Sequence, residues 1–261
     1  MYYYSPIVQK MKFVYILLLF SLPFGACAQN YVKIGQLFWG IQNLNSSTFR
    51  NGEEIARAKN PTEWEQFFKN GEPAYCSLNY NEKNDSLYGK IYNWFAVVDP
   101  RGLAPEGFKI PTSNEWSYLR AYLNYDTVCK CALFKNSADK LRSNNQWKSK
   151  TTGQNLFQMN IQPCGYLRND GNFEGKYMQT SFWTTSPKNQ ANVIGDSYDT
   201  YYVIFNHDKP DFYLDNNFEI NGHFVRCIQG EQEYFFSKTN VSIEEESNDP
   251  PPEEKEEEEE K

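Results

Sequence analysis

Six cysteines, two histidines and a surplus of carboxylates are the side chains from which this sequence would have to build reactive chemistry. Cys129 and Cys131 are the closest pair of thiols, separated by one residue. That spacing is tighter than the C-x-x-C pattern of a zinc site, and neither His207 nor His223 lies near them in the chain. No metal site is expected. His207 is followed by Asp208, formally a base beside a carboxylate. The pair sits in "NHDK" between two strand-like runs, so a hairpin turn is expected there instead. There is no G-x-S-x-G and no glycine loop of the kind that cradles phosphate. No spacing of acids marks out a glycosidase pair, and sequence distance does not report carboxylate separation. Neither a catalytic residue nor a cofactor site is expected. Trp39, Trp94 and Trp183 have the shape to stack on sugar rings, but each lies in an apolar run, which predicts core anchors.

The elements that would position these side chains can be read in outline. "VKIGQLFWGIQNL" (32–44) alternates and predicts a strand, followed by a turn at Asn51-Gly52. "NPTEWEQFF" (60–68) predicts a short helix, with Asn60 as its cap, Pro61 in its first turn, and Trp64, Phe67 and Phe68 on one face. "YGKIYNWFAVV" suits either helix or strand. Pro100, Gly102, Pro105, Gly107 and Pro111 restrict the backbone ahead of "TSNE", a capping box of Thr112 and Glu115. Trp116, Leu119 and Leu123 then form one apolar stripe, predicting a core helix near 113–124. The 129–147 stretch is ambiguous. Residues 151–175 alternate around Phe157, Met159 and Ile161, with a turn at Asn169-Asp170-Gly171. Runs at 180–187, 199–207, 211–217 and 223–229 predict strands in an antiparallel meander.

The ends of the chain carry separate signals. Lys12, the apolar run Phe13 to Phe20, and small residues at Gly25, Ala26 and Ala28 have the layout of a secretory signal peptide over residues 1–28, with Met11 as a second candidate start. The run is shorter than the roughly 20 residues a bilayer span requires. "FGAC" resembles a lipobox, making Cys27 a lipidation candidate and a lipid anchor the one route to a membrane. Residues 244–261 hold eleven acids and two lysines, and residues 239–261 are expected to be a disordered acidic tail. Removing residues 1–28 and 244–261 leaves 22 basic and 22 acidic residues. A neutral segment lacks the basic patch that nucleic-acid binding requires, so no nucleic-acid partner is expected. Export to the extracellular side or the outer-membrane surface permits disulfides. Cys76, Cys129, Cys131, Cys164 and Cys227 would remain, an odd number whose pairing the sequence leaves open.

"VKIGQLFWGIQNLNSSTFRNGEEI", "PAYCSLNYN", "YNWFAVVDPRGLAPEGFKIPTSNEW", "GYLRNDGNF", "FWTTS" and "VRCI" occur in that order. Together they resemble the Fibrobacter succinogenes major paralogous domain over about residues 32–229. The resemblance implies one domain over residues 29–238 of α+β class, with a C-type-lectin-like fold: short helices beside a twisted antiparallel sheet with long loops. Where members of that family often have a cysteine, this chain has Ala104, so Cys227 lacks its expected neighbour, with Cys129, Cys131 and Cys164 as substitutes. The places that match a lectin's calcium ligands, "QPC" (162–164) and "WTTS" (183–186), do not supply the required oxygen set. The expectation is a secreted or cell-surface binding module without enzymatic activity, whose partner is a glycan or an extracellular protein. Arg168, Asp170 and Asn172 are the candidate loop contacts. The alternatives are an enzyme on a lectin-like fold that uses Cys129 and Cys131, and a structural protein of the envelope.

Overall fold

A computed structural model of the chain describes residues 31–125, 130, 135–148, 153–187, 200–217 and 221–230. The signal segment, Cys27, Cys129, Cys131 and the acidic tail lie outside the described residues. In chain order the elements begin with β1 (Tyr31–Ile34), β2 (Leu37–Gly40), β3 (Ala56–Arg57), α1 (Pro61–Asn70) and β4 (Ala74–Ser77). Next come α2 (Asp85–Tyr88), β5 (Lys90–Tyr92), α3 (Trp94–Val97), β6 (Phe108–Lys109), α4 (Ser113–Asn124) and α5 (Ser137–Leu141). The remainder is strand: β7 (Tyr166–Leu167), β8 (Phe173–Glu174), β9 (Gln179–Pro187), β10 (Thr200–Asn206), β11 (Tyr213–Asn217), β12 (His223–Phe224) and β13 (Ile228–Gln229). The class is α+β, with several mainly antiparallel sheets and a few short helices. None of the described helices is long and apolar enough to cross a membrane.

Local chemistry places the two longer helices where the sequence predicts them. Asn60 Oδ1 accepts from Glu63 N at 2.9 Å, and Pro61 starts α1 with the φ a first helical turn wants. At α4, Thr112 Oγ1 accepts from Glu115 N while the Glu115 carboxylate accepts from Thr112 N at 2.8 Å, closing the capping box. Trp116, Leu119 and Leu123 of α4 are buried, as their spacing requires.

Seven strands form the main sheet in the order β11-β10-β9-β12-β5-β4-β3. Its side chains alternate between two cores. Cys76, Ile91, Phe182, Val203, Phe205 and Phe224 enter a core built around Trp116, with Trp39 and Trp64. Tyr75, Tyr92, Trp183, Tyr202, Ile204 and Val225 enter a second core with Trp94 and Leu103. Because both faces are buried, these strands read as continuous apolar runs, and polar alternation is lost. This is why periodicity did not decide "YGKIYNWFAVV", which contains both β5 and α3. Asn93 makes the change of conformation, its Oδ1 accepting from Ala74 N on β4 and Ala96 N in α3, both at 3.0 Å.

The structure corrects three expectations and shows what the alternation in residues 151–175 becomes. Residues 32–44 are not one strand but a hairpin, β1 against β2, because Gly35 adopts φ +63° and reverses the chain. Only β9, β10 and β11 form the antiparallel meander; β12 pairs parallel to β9 and antiparallel to β5. The 223–229 run is split, β12 ending in the main sheet and β13 joining β2 and β6 in a four-stranded sheet. Residues 153–161 hold no strand: Met159 and Ile161 are buried from an irregular segment with Asn155, Gln158 and Asn160 in left-handed conformations.

Candidate functional site

Three connecting segments enclose a hollow. A cavity of about 250 Å³ is lined by Leu78, Tyr88, Gln146, Pro163, Cys164, Lys176 and Tyr177. Leu78 follows β4 and Tyr88 ends α2. Gln146 follows α5, Pro163 and Cys164 precede β7, and Lys176 and Tyr177 join β8 to β9. Leu78, Pro163 and Cys164 are buried and form the floor, Tyr88 is half-buried, and Gln146, Lys176 and Tyr177 are exposed at the rim.

Backbone bonds hold the rim in place. Tyr177 N donates to Pro163 O at 2.9 Å, and Lys148 N donates to Tyr177 O at 2.7 Å. Gly165 N donates to Gln179 O at 2.7 Å, tying the floor segment to β9. Tyr177 is 49% exposed despite this anchoring, and the Lys176 ammonium lies 4.9 Å from its ring centroid. Gln146 (φ +71°) and Tyr177 (φ +66°) are both left-handed, as are Asn79 and Tyr80 directly after Leu78 (each φ +56°). Such conformations cost of order 1 kcal/mol or more each in non-glycine residues and persist where the surroundings impose them, often at binding sites.

The floor is electrostatically one-sided. Burial pushes the Cys164 thiol up to about 12, against the lowering effects of Arg226 and Lys176, so it stays a thiol at neutral pH. Behind it, the buried Arg226 guanidinium is pushed down to about 9 by desolvation. Its Nη1 donates to Gly40 O and Met159 O, at 3.1 and 3.3 Å, and its plane faces the Phe182 ring.

The loop candidates lie outside the cavity lining. Asp170 Oδ1 accepts from Asn172 N at 3.0 Å, Arg168 N donates to Asn172 O at 2.9 Å, and Gly171 N donates to Arg168 O at 3.0 Å. The amide of Asn172 is the main reason the Asp170 carboxyl is held below its ordinary range, with Arg168 adding to it. Arg168 Nη1 also donates to Glu174 at 2.9 Å. The three residues are therefore brought together as an exposed turn on the β7–β8 hairpin. Tyr80 pins it by donating to Gly171 O at 2.7 Å.

Trp39, Trp94 and Trp183 are core residues, as their apolar surroundings predict. His207 follows β10, its N–H bonded to Met178 O at 2.6 Å, and leads into the turn before β11. Among the described residues no disulfide forms, and no group of three His, Cys, Asp or Glu side chains gathers as a metal site. Cys164 does not stand in for the missing partner of Cys227: the two thiols lie in different cores, while Ala104 shares the core of Cys227.

A second polar cluster has no signal in the sequence. Ser181 Oγ and His223 Nδ1 share a buried hydrogen bond of 2.5 Å. The imidazole stacks on Tyr202 at 4.5 Å and meets Trp183 edge-on at 4.4 Å. Burial pushes its pKa down to about 3, so it is neutral. Both side chains of this Ser–His pair are almost fully enclosed. The cavity was also missed. Its one local signal is "GKYM" (175–178), which sets an aromatic and a methionine beside a lysine after a glycine.

No curated protein matches this chain, and no solved structure does. The sequence profile of the Fibrobacter succinogenes major domain matches residues 32–229, which include every described strand except the first residue of β1. Three-quarters of the sequence thus falls within that match, and the chain belongs to the Fibrobacter succinogenes major domain family.

Proposed function

We propose that this protein is a non-catalytic binding module, exported to the cell surface, that takes a glycan in the cavity beside Tyr177. The single observation behind this reading is an exposed aromatic ring, clamped by backbone bonds on both sides, next to an apolar floor and the polar groups of Gln146, Tyr88 and Lys176. Sugar recognition uses that combination: an aromatic face for the C–H side of the ring, and hydrogen-bonding groups for its hydroxyls. The cavity suits one sugar unit. A stable protein partner would need on the order of 800 Å² of surface from each side, so a glycan is the better fit.

Binding is favoured over turnover because the one nucleophile at the floor, Cys164, is held as a thiol. The scaffold is proposed to be C-type-lectin-like, a reading supported by short helices beside a mixed sheet with long connections. Arg168, Asp170 and Asn172 would then form a neighbouring turn, with contacts only to a ligand that extends past the cavity.

The test is a glycan array probed with the full chain, followed by calorimetry on the strongest hit. Tyr177→Ala should weaken that hit at least tenfold, about 1.4 kcal/mol, without lowering the melting temperature. A hit indifferent to Tyr177, or an array with no hit, sinks the reading. Export with anchoring at Cys27 is checked by palmitate labelling in cells, expected in the parent and lost in Cys27→Ala.

A further inference from the structure

The cavity carries a positive charge that no described carboxylate pairs with. Lys176 has no carboxylate partner among the described residues, and no acidic side chain lines the cavity. Three acids on the flanking elements are engaged elsewhere. Glu174 accepts from Tyr166 Oη at 3.0 Å and from Arg168, Asp85 pairs with Lys90 at 3.0 Å, and Glu82 pairs with Arg57. A second ammonium stands beside the rim: the Lys148 backbone N–H holds Tyr177, and among the described residues its Nζ reaches the Met178 sulfur, at 3.9 Å. Arg226 adds a third cation behind the floor. Its Nη1 donates to two backbone carbonyls, and its Nε has no hydrogen-bond partner among the described residues. The segment outside the two charged ends is neutral overall, so this concentration is local.

We infer that the cavity selects an acidic saccharide, with a uronate carboxylate on the Lys176 ammonium while the sugar ring lies between Tyr177 and Gln146. This rests on the glycan-binding reading and sharpens it. Lys176 supplies a point charge with N–H donors, Tyr177 an apolar face, and Gln146 an amide that can both donate and accept. A neutral sugar offers the ammonium only hydroxyl acceptors, whereas a carboxylate adds an opposite charge and a charge-assisted hydrogen bond. Because Lys176 is exposed, the preference should weaken as salt screens it.

The test compares oligogalacturonate with its fully methyl-esterified form, titrated into the full chain at about 50 mM and about 500 mM salt. The free acid should bind at least fivefold more tightly than the ester at low salt, and the gap should narrow at high salt. Lys176→Gln should bring the two ligands to equal affinity, and Lys176→Arg should keep the preference. Equal affinity of the parent for both ligands overturns this inference and leaves the glycan reading intact. So does a preference that survives Lys176→Gln. If sodium acetate displaces the oligomer at equal carboxylate concentration, the site is a simple anion site and the saccharide assignment falls. If neither ligand binds and the glycan array is also blank, both readings fall together.

Discussion

His223 makes the stability of this protein depend on pH in a way that can be isolated. The imidazole is enclosed by Tyr202, Trp183 and the more distant Tyr166 ring, with Ser181 on Nδ1 and no partner for Nε2. A proton added in the fold would put a charge in this aromatic box and leave an N–H without an acceptor. Its folded pKa is therefore depressed to about 3, against about 6.5 in an unfolded chain. Between those values the unfolded state binds a proton and the native state does not, so stability falls as pH falls across the window. Each pH unit is worth about 1.4 kcal/mol, and moving from pH 7.5 to 4.5 spans about two units below the unfolded pKa. His223 should thus cost about 3 kcal/mol of stability over that interval, a large share of the roughly 5–15 kcal/mol available to a domain. Burial holds Tyr202 neutral throughout, and the acid that faces it is Asp215, bonded to its hydroxyl. The comparison protein is Ser181→Ala/His223→Phe, which removes both polar partners and keeps a ring against Tyr202. Urea denaturation followed by tryptophan fluorescence, at pH 7.5 and 4.5, gives the four free energies. Carboxylate titration is common to both proteins and cancels in the difference. The parent should lose about 3 kcal/mol more than the double variant. Equal losses in the two proteins would show that His223 titrates normally in the fold, and the burial argument would be wrong.

Two further expectations follow from local geometry. Thr112→Ala opens the capping box of α4, the helix that carries Trp116 into the core, and should lower the unfolding free energy by about 1 kcal/mol in the same urea assay at pH 7.5. An unchanged midpoint would mean that the Glu115 contacts with Thr112 N and Lys109 hold the helix start by themselves. Gly171→Ala places a Cβ inside the van der Waals envelope of Pro61 at φ +79°, where the obstructing atoms are backbone. It should cost on the order of 2 kcal/mol or more, visible as a melting point lower by several degrees, while Asn172→Ala nearby should be close to neutral.

Several features were legible in the sequence because the forces that make them act within a few residues. Asn60, Thr112 and Glu115 satisfy the exposed amides of helix starts through partners three positions away, and Pro61 removes one such amide, so α1 and α4 lie where their cap signals put them. The Asn169-Asp170-Gly171 turn is likewise local, since the Asp170 side chain bonds the backbone two residues on. The fate of Trp39, Trp94 and Trp183 followed from the apolar runs around them. The main sheet's order was hidden because both its faces are buried, which erased the alternation that assigns a face. The hairpin at Gly35 was hidden for a smaller reason: a Gly-Gln turn inside a strongly strand-forming run is a weak signal.

The sequence by itself determined where the helices start, which aromatic residues are buried, which family the chain resembles, and that its middle is electrically balanced between charged ends. The tertiary structure alone decided that Ser181 meets His223 across 42 positions, that the 223–229 run serves two sheets, and that Leu78, Gln146, Cys164 and Lys176 share one hollow. The reason is physical. A cap or turn is stabilised by its own neighbours and leaves a pattern at fixed spacing, whereas a contact between distant segments is made by strand pairing and core packing, which leave no spacing to read.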